Sequence, residues 1–202
     1  MYDDGITPVS QGHTITPSRL SRIMRKLACA ALAVAATFSG TAFAESPAVM
    51  SNFNYDYVDA RIGMAPLTFG AGFSKSIHPN AHFVTTIDSE FEDDYNLRAG
   101  LGFHAPATNW ADITGEMLLR VVDNHKYNNE VGMEVNLGWR QWLGPQFEVG
   151  GHVGYVTIDS NDDWMGGVYG RFHATELFSL GLEGKINDFY GDQLMLTTRF
   201  VF

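Results

Sequence analysis

From Val131 to Arg140 the chain alternates without a break: Val131, Met133, Val135, Leu137 and Trp139 fall on one face, and Gly132, Glu134, Asn136, Gly138 and Arg140 on the other. Such a strict period of two belongs to a β-strand, whose successive side chains point to opposite faces, and not to a helix. The pattern recurs at Tyr95, Leu97, Ala99, Leu101 and Phe103 against Asn96, Arg98, Gly100, Gly102 and His104. It returns at the end of the chain, where Leu194, Leu196, Thr198, Phe200 and Phe202 alternate with Met195, Thr197, Arg199 and Val201. Across residues 53–202 the alternation predicts ten strands, at 54–64, 67–77, 81–91, 95–104, 110–122, 130–142, 147–158, 164–174, 178–188 and 192–202, with eight as the alternative count. One face of these segments is apolar while the other carries charges on strand after strand. A soluble sandwich or lipocalin-like barrel would hide its apolar face inside, but the other face here carries too many charges spread along every strand for that fold. A barrel in lipid puts the apolar face outside and lets the charged face line the interior.

An export segment precedes the alternating region. Arg25 and Lys26 stand before an apolar run from Leu27 to Phe38, followed by small residues at Ala42 and Ala44, which is the pattern of a signal peptide spanning 24–44 and cleaved after Ala44. The run is about 12 residues, short of the roughly 20 that a membrane helix needs. The sole Cys of the chain, Cys29, lies at the start of that run and would leave with it, and a single Cys can form no intramolecular disulfide or multi-thiolate zinc site. Residues 1–23 are polar and broken by Gly and Pro, and read as an upstream extension ahead of a start at Met24. Residues 45–52 then form a short lead into the barrel. The exported portion carries 9 Lys and Arg against 21 Asp and Glu, a net charge of -12 compared with -10 for the whole chain. This acidity excludes a nucleic-acid binder, which needs a basic face.

The connections alternate in character, with Gly63 to Pro66 between the first two strands as the exception. His78-Pro79-Asn80, Ala105 to Thr108, Leu143 to Gln146 and Thr175 to Leu177 are short and turn-like, whereas Glu92-Asp93-Asp94, Asp123 to Glu130, Asp159 to Asp163 and Asp188 to Asp192 are strongly polar. An even strand count puts both termini at the end with short turns. Aromatics gather at both strand ends, with Tyr55, Tyr57, Phe103, Trp110, Trp139, Trp142, Phe147, Phe172, Phe178 and Phe202 at one and Phe91, Tyr95, Tyr127, Tyr155, Trp164, Phe189 and Tyr190 at the other. Two aromatic girdles suit the two interfaces of a bilayer.

The first-strand run Tyr55-Asp56-Tyr57-Val58-Asp59, the aromatic-Gly alternations and the final strand ending in Phe202 resemble the small outer-membrane β-barrels of Gram-negative bacteria, in the OmpA-like and opacity-porin-like group. The resemblance implies an all-β, antiparallel up-and-down transmembrane barrel in the bacterial outer membrane. It implies that Leu194, Leu196, Phe200 and Phe202 form the signal read by the barrel assembly machinery. It also implies lipid and lipopolysaccharide as the surroundings. No peptidoglycan-binding segment follows the barrel, so cell-wall anchoring is not implied.

Sorting charges by face locates them. Asp59, Asp88, Glu90, Asp112, Glu116, Glu134, Glu148 and Glu183 point inward, as do Arg61, Arg98, Arg120, Arg140, Arg171, Lys185 and Arg199, giving a lumen of eight acids and seven bases. A ten-stranded barrel is narrow, and unpaired burial costs several kcal/mol per ion, so these groups should pair and largely fill the space. The polar connections hold Glu92, Asp93, Asp94, Asp123, Glu130, Asp159, Asp162, Asp163, Asp188 and Asp192 against Lys126 alone. Asp159, Asp162 and Asp163 are the candidate cation ligands, although their spacing matches no calcium loop and a solvated acidic surface is the plainer reading. His104, His152 and His173 point inward and could converge on a metal, though partners in a lumenal hydrogen-bond network account for them more simply. His125 beside Asp123, and Ser residues at 74, 76, 89, 160 and 179, offer no hydrolase spacing. The chain therefore reads as a monomeric, non-enzymatic barrel without cofactor, structural or interactive in role. A narrow solute channel is the alternative and a surface hydrolase a distant third.

Overall fold

The computed structural model describes residues 51–123, 129–158 and 161–202. They form ten strands: β1 (Tyr57–Met64), β2 (Thr68–His78), β3 (Ala81–Ser89), β4 (Tyr95–Thr108), β5 (Ala111–Asp123), β6 (Glu130–Trp142), β7 (Phe147–Ile158), β8 (Asn161–His173), β9 (Phe178–Asp188) and β10 (Gly191–Val201). Each pairs antiparallel with its neighbours in sequence, and β1 closes on β10 from Tyr57 opposite Val201 to Met64 opposite Leu194. Closure leaves no unpaired sheet edge, the condition for a sheet to stand in an apolar solvent. The count is ten and not the alternative eight. The export segment 24–44 with Ala42 and Ala44, and residues 1–23, lie outside the described residues, as do Asp159, Ser160, His125, Lys126 and Tyr127.

The periodicity is realised inside out. Along β6 the even-numbered residues Gly132, Glu134, Asn136 and Arg140 are buried toward the lumen, while Val131, Val135, Leu137 and Trp139 are exposed. Glu134, Glu148 and Asp112 are fully buried, whereas Leu137 is 61% and Val168 67% exposed. An outer surface this apolar needs lipid around it, since soluble proteins do not expose a continuous belt of large aliphatic side chains. The strands run from 8 to 14 residues, about the length of a tilted membrane strand.

The aromatic-Gly alternation has a steric reason. A Cβ on Gly102 would meet the His82 ring at 2.1 Å, and one on Gly150 would meet the Tyr169 ring at 2.6 Å. Inward glycines on one strand thus make room for rings from the next.

Three differences from the sequence expectation have physical causes. The first strand opens at Tyr57 instead of 54, because Asn54 Oδ1 accepts the Asp56 amide in an Asx turn and the preceding residues fold into the barrel mouth. β8 begins at Asn161, three residues earlier than expected, so Asp162 and Asp163 belong to a strand and pair in register with Thr157 and Val156. Asp188, expected among the external loop acids, ends β9 and is turned inward. Asn187 adopts φ +56 just before it, which breaks the alternation that would have pointed Asp188 out.

Replacing outward-facing Leu119 or Leu182, both half-exposed or more, with Arg should destabilise the barrel in phospholipid vesicles by about 2–4 kcal/mol near the midplane. Urea unfolding in vesicles measures this, and an unchanged midpoint would contradict lipid contact at these positions.

Candidate functional site

The lumen holds one continuous chain of opposite charges. Beginning on β10, Arg199 Nη2 lies 3.8 Å from Asp59, Asp59 3.7 Å from Arg61, and Arg61 Nη2 3.2 Å from Asp88. Asp88 also receives Arg98 Nη2 at 3.3 Å, and Arg98 Nη1 lies 3.7 Å from Glu134. Glu134 accepts Arg120 Nη1 at 3.1 Å, and the other end of the same guanidinium reaches Asp188 on β9 at 2.5 Å. Lys185 Nζ, 3.2 Å from Asp188, completes the series. Arg120 stands on β5 and Asp188 on β9, so this side chain crosses the lumen; its Nε also donates to Asn96 Oδ1 at 2.8 Å. It is 1% exposed.

A second hub lies nearer the termini. Glu148 accepts Arg140 Nε at 3.0 Å, the Tyr169 hydroxyl at 2.7 Å and His173 Nε2 at 3.0 Å, with Arg171 Nη1 at 3.6 Å. Strand register builds it, since Glu148, second in β7, lies directly opposite Arg171 on β8. Of the remaining inward acids, Asp112 accepts the Tyr55 hydroxyl at 2.9 Å and the Ser51 hydroxyl, and Glu116 accepts Asn136 Nδ2 at 3.1 Å. Glu183 forms no ion pair among the described residues. Glu90 leaves the expected set: it lies past the end of β3, its amide bonded to Asp94. With Glu90 out and Asp188 in, the lumen still carries eight acids and seven bases.

Both ends of the lumen are occupied by residues that period-two reasoning assigned elsewhere. At the terminal end the lead folds in. Phe53 stacks on Trp142 at 5.4 Å, Tyr55 packs against His82 at 4.7 Å and His104 at 3.8 Å, and the Arg140 guanidinium sits 4.5 Å and 4.8 Å from the Phe53 and Tyr55 rings. Tyr55 and Trp142 therefore leave the expected girdle. At the far end Val122, Val156, Ile158 and Met165 form an apolar cluster with Phe189 packed against it. Tyr190 donates to the Asp88 carbonyl at 3.1 Å and to the Asp94 carboxylate, so Phe189 and Tyr190 also turn inward. Between these ends lies a cavity of about 180 Å³ lined by Arg61, Arg140, Arg199, Glu116 and Glu183 among others, and a second of about 410 Å³ opens at the terminal rim. Arg140 and Arg199 line both.

The histidines do not converge. His104 Nε2 bonds the Pro79 carbonyl at 2.9 Å, His173 bonds Glu148, and His152 lines the central cavity. Among the described residues no three His, Cys, Asp or Glu side chains cluster as metal ligands. Asp163 is engaged by Trp164 N at 2.9 Å and Asn187 Nδ2 at 2.7 Å. Ser74 donates to the Tyr55 carbonyl at 2.6 Å and Ser89 to that of Asp94 at 2.9 Å. In the loop after β3, burial alone would raise the Asp94 carboxyl, but hydrogen bonds from Tyr190, the Glu90 and Glu92 amides and Ser89 outweigh it and hold the group below its usual range. A depressed carboxylate stabilises above its unfolded value and loses that contribution as acid protonates it, so this loop anchor should persist until the pH falls below about 3.9.

No protein-family model matches the chain, and no curated protein matches it in sequence. Among solved structures it is similar to the KdgM porin, at 12% identity over 72% of this chain and 99% of that one with a TM-score of 0.46. The KdgM porin in complex with disordered oligogalacturonate matches at 9% identity over the same shares, with a TM-score of 0.48. The outer membrane protein Omp33 of Acinetobacter baumannii matches at 9% identity, covering 74% of this chain and 99% of that one, with a TM-score of 0.40. With identities and TM-scores this low, function has to be read from the chain's own residues.

Arg120→Ala strips Glu134 and Asp188 of their shared cation. It should cost about 3–5 kcal/mol, the range for breaking a buried pair by removing one partner. Urea unfolding in vesicles measures this, and a loss under about 1 kcal/mol would contradict the pairing.

Proposed function

We propose that the chain is a bacterial outer-membrane barrel whose lumen is closed in its resting conformation and whose role is structural and interactive at the cell surface. Its termini and short turns face the periplasm, and its acidic loops face outward. The observation that carries this reading is Arg120, which crosses the lumen from β5 to Asp188 on β9 while almost wholly buried. A side chain fixed there by Asn96, Glu134 and Asp188 supports a lumen obstructed at its level. The apolar cluster around Val122 and Met165 narrows the same region further.

In this reading lipid and lipopolysaccharide surround the apolar belt. The assembly machinery recognises the last strand, in which Leu194, Leu196, Phe200 and Phe202 are all exposed on the outer face. The barrel works as a monomer, without catalysis or cofactor.

A second reading, a narrow solute channel, is favoured by one separate observation. The central and rim cavities share Arg140 and Arg199, so the two open spaces adjoin at these side chains beside the folded-in lead. Such a channel would conduct when the Arg120 crossing and the lead are both displaced.

Planar-bilayer recording separates the two readings. The wild-type barrel should show no stable conductance steps, and Arg120→Ala combined with Phe53→Ala and Tyr55→Ala should produce them. Reproducible steps from the wild type would overturn the closed lumen in favour of the channel.

A further inference from the structure

Arg171 and Arg199 stand apart from the other lumenal bases. Each is about nine-tenths buried, at 6% and 11% side-chain exposure, yet neither donates a hydrogen bond to any described residue. Among the described residues each has a single, long ion pair, 3.6 Å to Glu148 and 3.8 Å to Asp59, and Glu148 is already taken by Arg140, Tyr169 and His173. A guanidinium has five N–H donors, and leaving them unused in a buried site is costly.

The two arginines flank β9 from β8 and β10. Gly181 lies opposite Arg171, and Ser179, whose buried hydroxyl also has no partner, lies opposite Arg199. Gly181 lets Thr197 and Arg171 approach the β9 backbone closely, since a Cβ there would meet Thr197 Oγ1 at 2.6 Å and Arg171 Nε at 3.5 Å. Tyr57, whose ring centre lies 3.5 Å from the Arg199 guanidinium carbon, and Tyr169, 5.1 Å from that of Arg171, hold the planes in place. Both arginines line the cavity of about 180 Å³, whose walls carry five arginines against three carboxylates. The lumen as a whole is one charge negative, so positive charge is concentrated where the open volume lies.

We infer that this cavity binds one small oxyanion, a phosphate or a carboxylate, between Arg171 and Arg199. Two planar forks facing one space suit the paired oxygens of either group. The volume, several times that of a water molecule, admits such an anion with a few waters. Arg199 also lines the rim cavity, which gives an approach from the terminal side. Glu183, on the same cavity wall and without an ion pair, opposes the anion and sets an upper limit on affinity. The site does not depend on whether the lumen conducts.

The test uses the purified folded barrel in detergent, with its thermal unfolding midpoint read in sodium phosphate, sodium acetate and sodium chloride at matched ionic strength. Phosphate or acetate should raise the wild-type midpoint by about 3 °C or more over chloride at saturating anion. Arg171→Gln/Arg199→Gln should remove that increment, Glu183→Gln should lower the anion concentration needed by several-fold, and Lys75→Gln, on the outward face near the termini, should change neither. A rise with phosphate alone or acetate alone identifies which oxyanion the site takes. An equal rise in wild type and double variant would show only general salt stabilisation and overturn the proposal, as would no rise with either anion. Should the double variant fail to fold, Arg199→Gln alone, read by titration calorimetry with phosphate, must weaken binding at least tenfold for the proposal to stand.

Discussion

Seven basic and eight acidic side chains in a narrow ten-stranded barrel have few places to go, and the need to pair them organises the interior. Lipid outside and a thin protein wall give the lumen a low effective dielectric, where a lone charge costs several kcal/mol. The outcome is the unbroken alternation from Arg199 through Asp59, Arg61, Asp88, Arg98, Glu134, Arg120 and Asp188 to Lys185. It visits six strands in the order β10, β1, β3, β4, β6, β5 before returning to β9, the neighbour of β10. Each carboxylate in it serves two cations, so removing any one base leaves the flanking carboxylates with half of their compensating charge. Hydrogen bonds along the sheet hold neighbouring strands together, whereas this chain ties strands that are not neighbours.

The same constraint explains the two ends. Where the ion pairs stop, rings and aliphatic groups take over: Phe53 and Tyr55 against Trp142, His82 and His104 at the terminal side, Phe189 against Val122, Val156, Ile158 and Met165 at the far side. These groups keep bulk water from the paired charges and thereby keep the pairs strong. The inner surface thus behaves like the core of a soluble protein with polar contents, and the outer surface like a core turned toward lipid.

Most of the barrel was legible in the sequence because its signal is purely periodic. Val131 to Arg140 and Leu194 to Phe202 could be assigned faces residue by residue, and their strands begin and end within a few residues of expectation. Legibility failed where the period breaks. Asn187 at positive φ turned Asp188 inward, and the loop after β3 took Glu90 out of the strand. The Asx turn at Asn54 sent Tyr55 into the mouth instead of toward the lipid. His82 escaped notice because a lone inward His carries no pattern of its own, although the glycine at 102 that its ring requires was visible. Which acid meets which base was not readable at all, since pairing across the lumen depends on barrel shear and not on neighbouring positions in the chain.

The most direct measurement is a double-mutant cycle between Arg120 and Asp188, using Arg120→Met and Asp188→Leu singly and together, with stability read by urea unfolding in phospholipid vesicles. The account predicts a coupling of at least about 1.5 kcal/mol between two residues that stand on strands four apart in the sheet. Additive effects of the two substitutions would contradict the direct pairing of these side chains across the lumen.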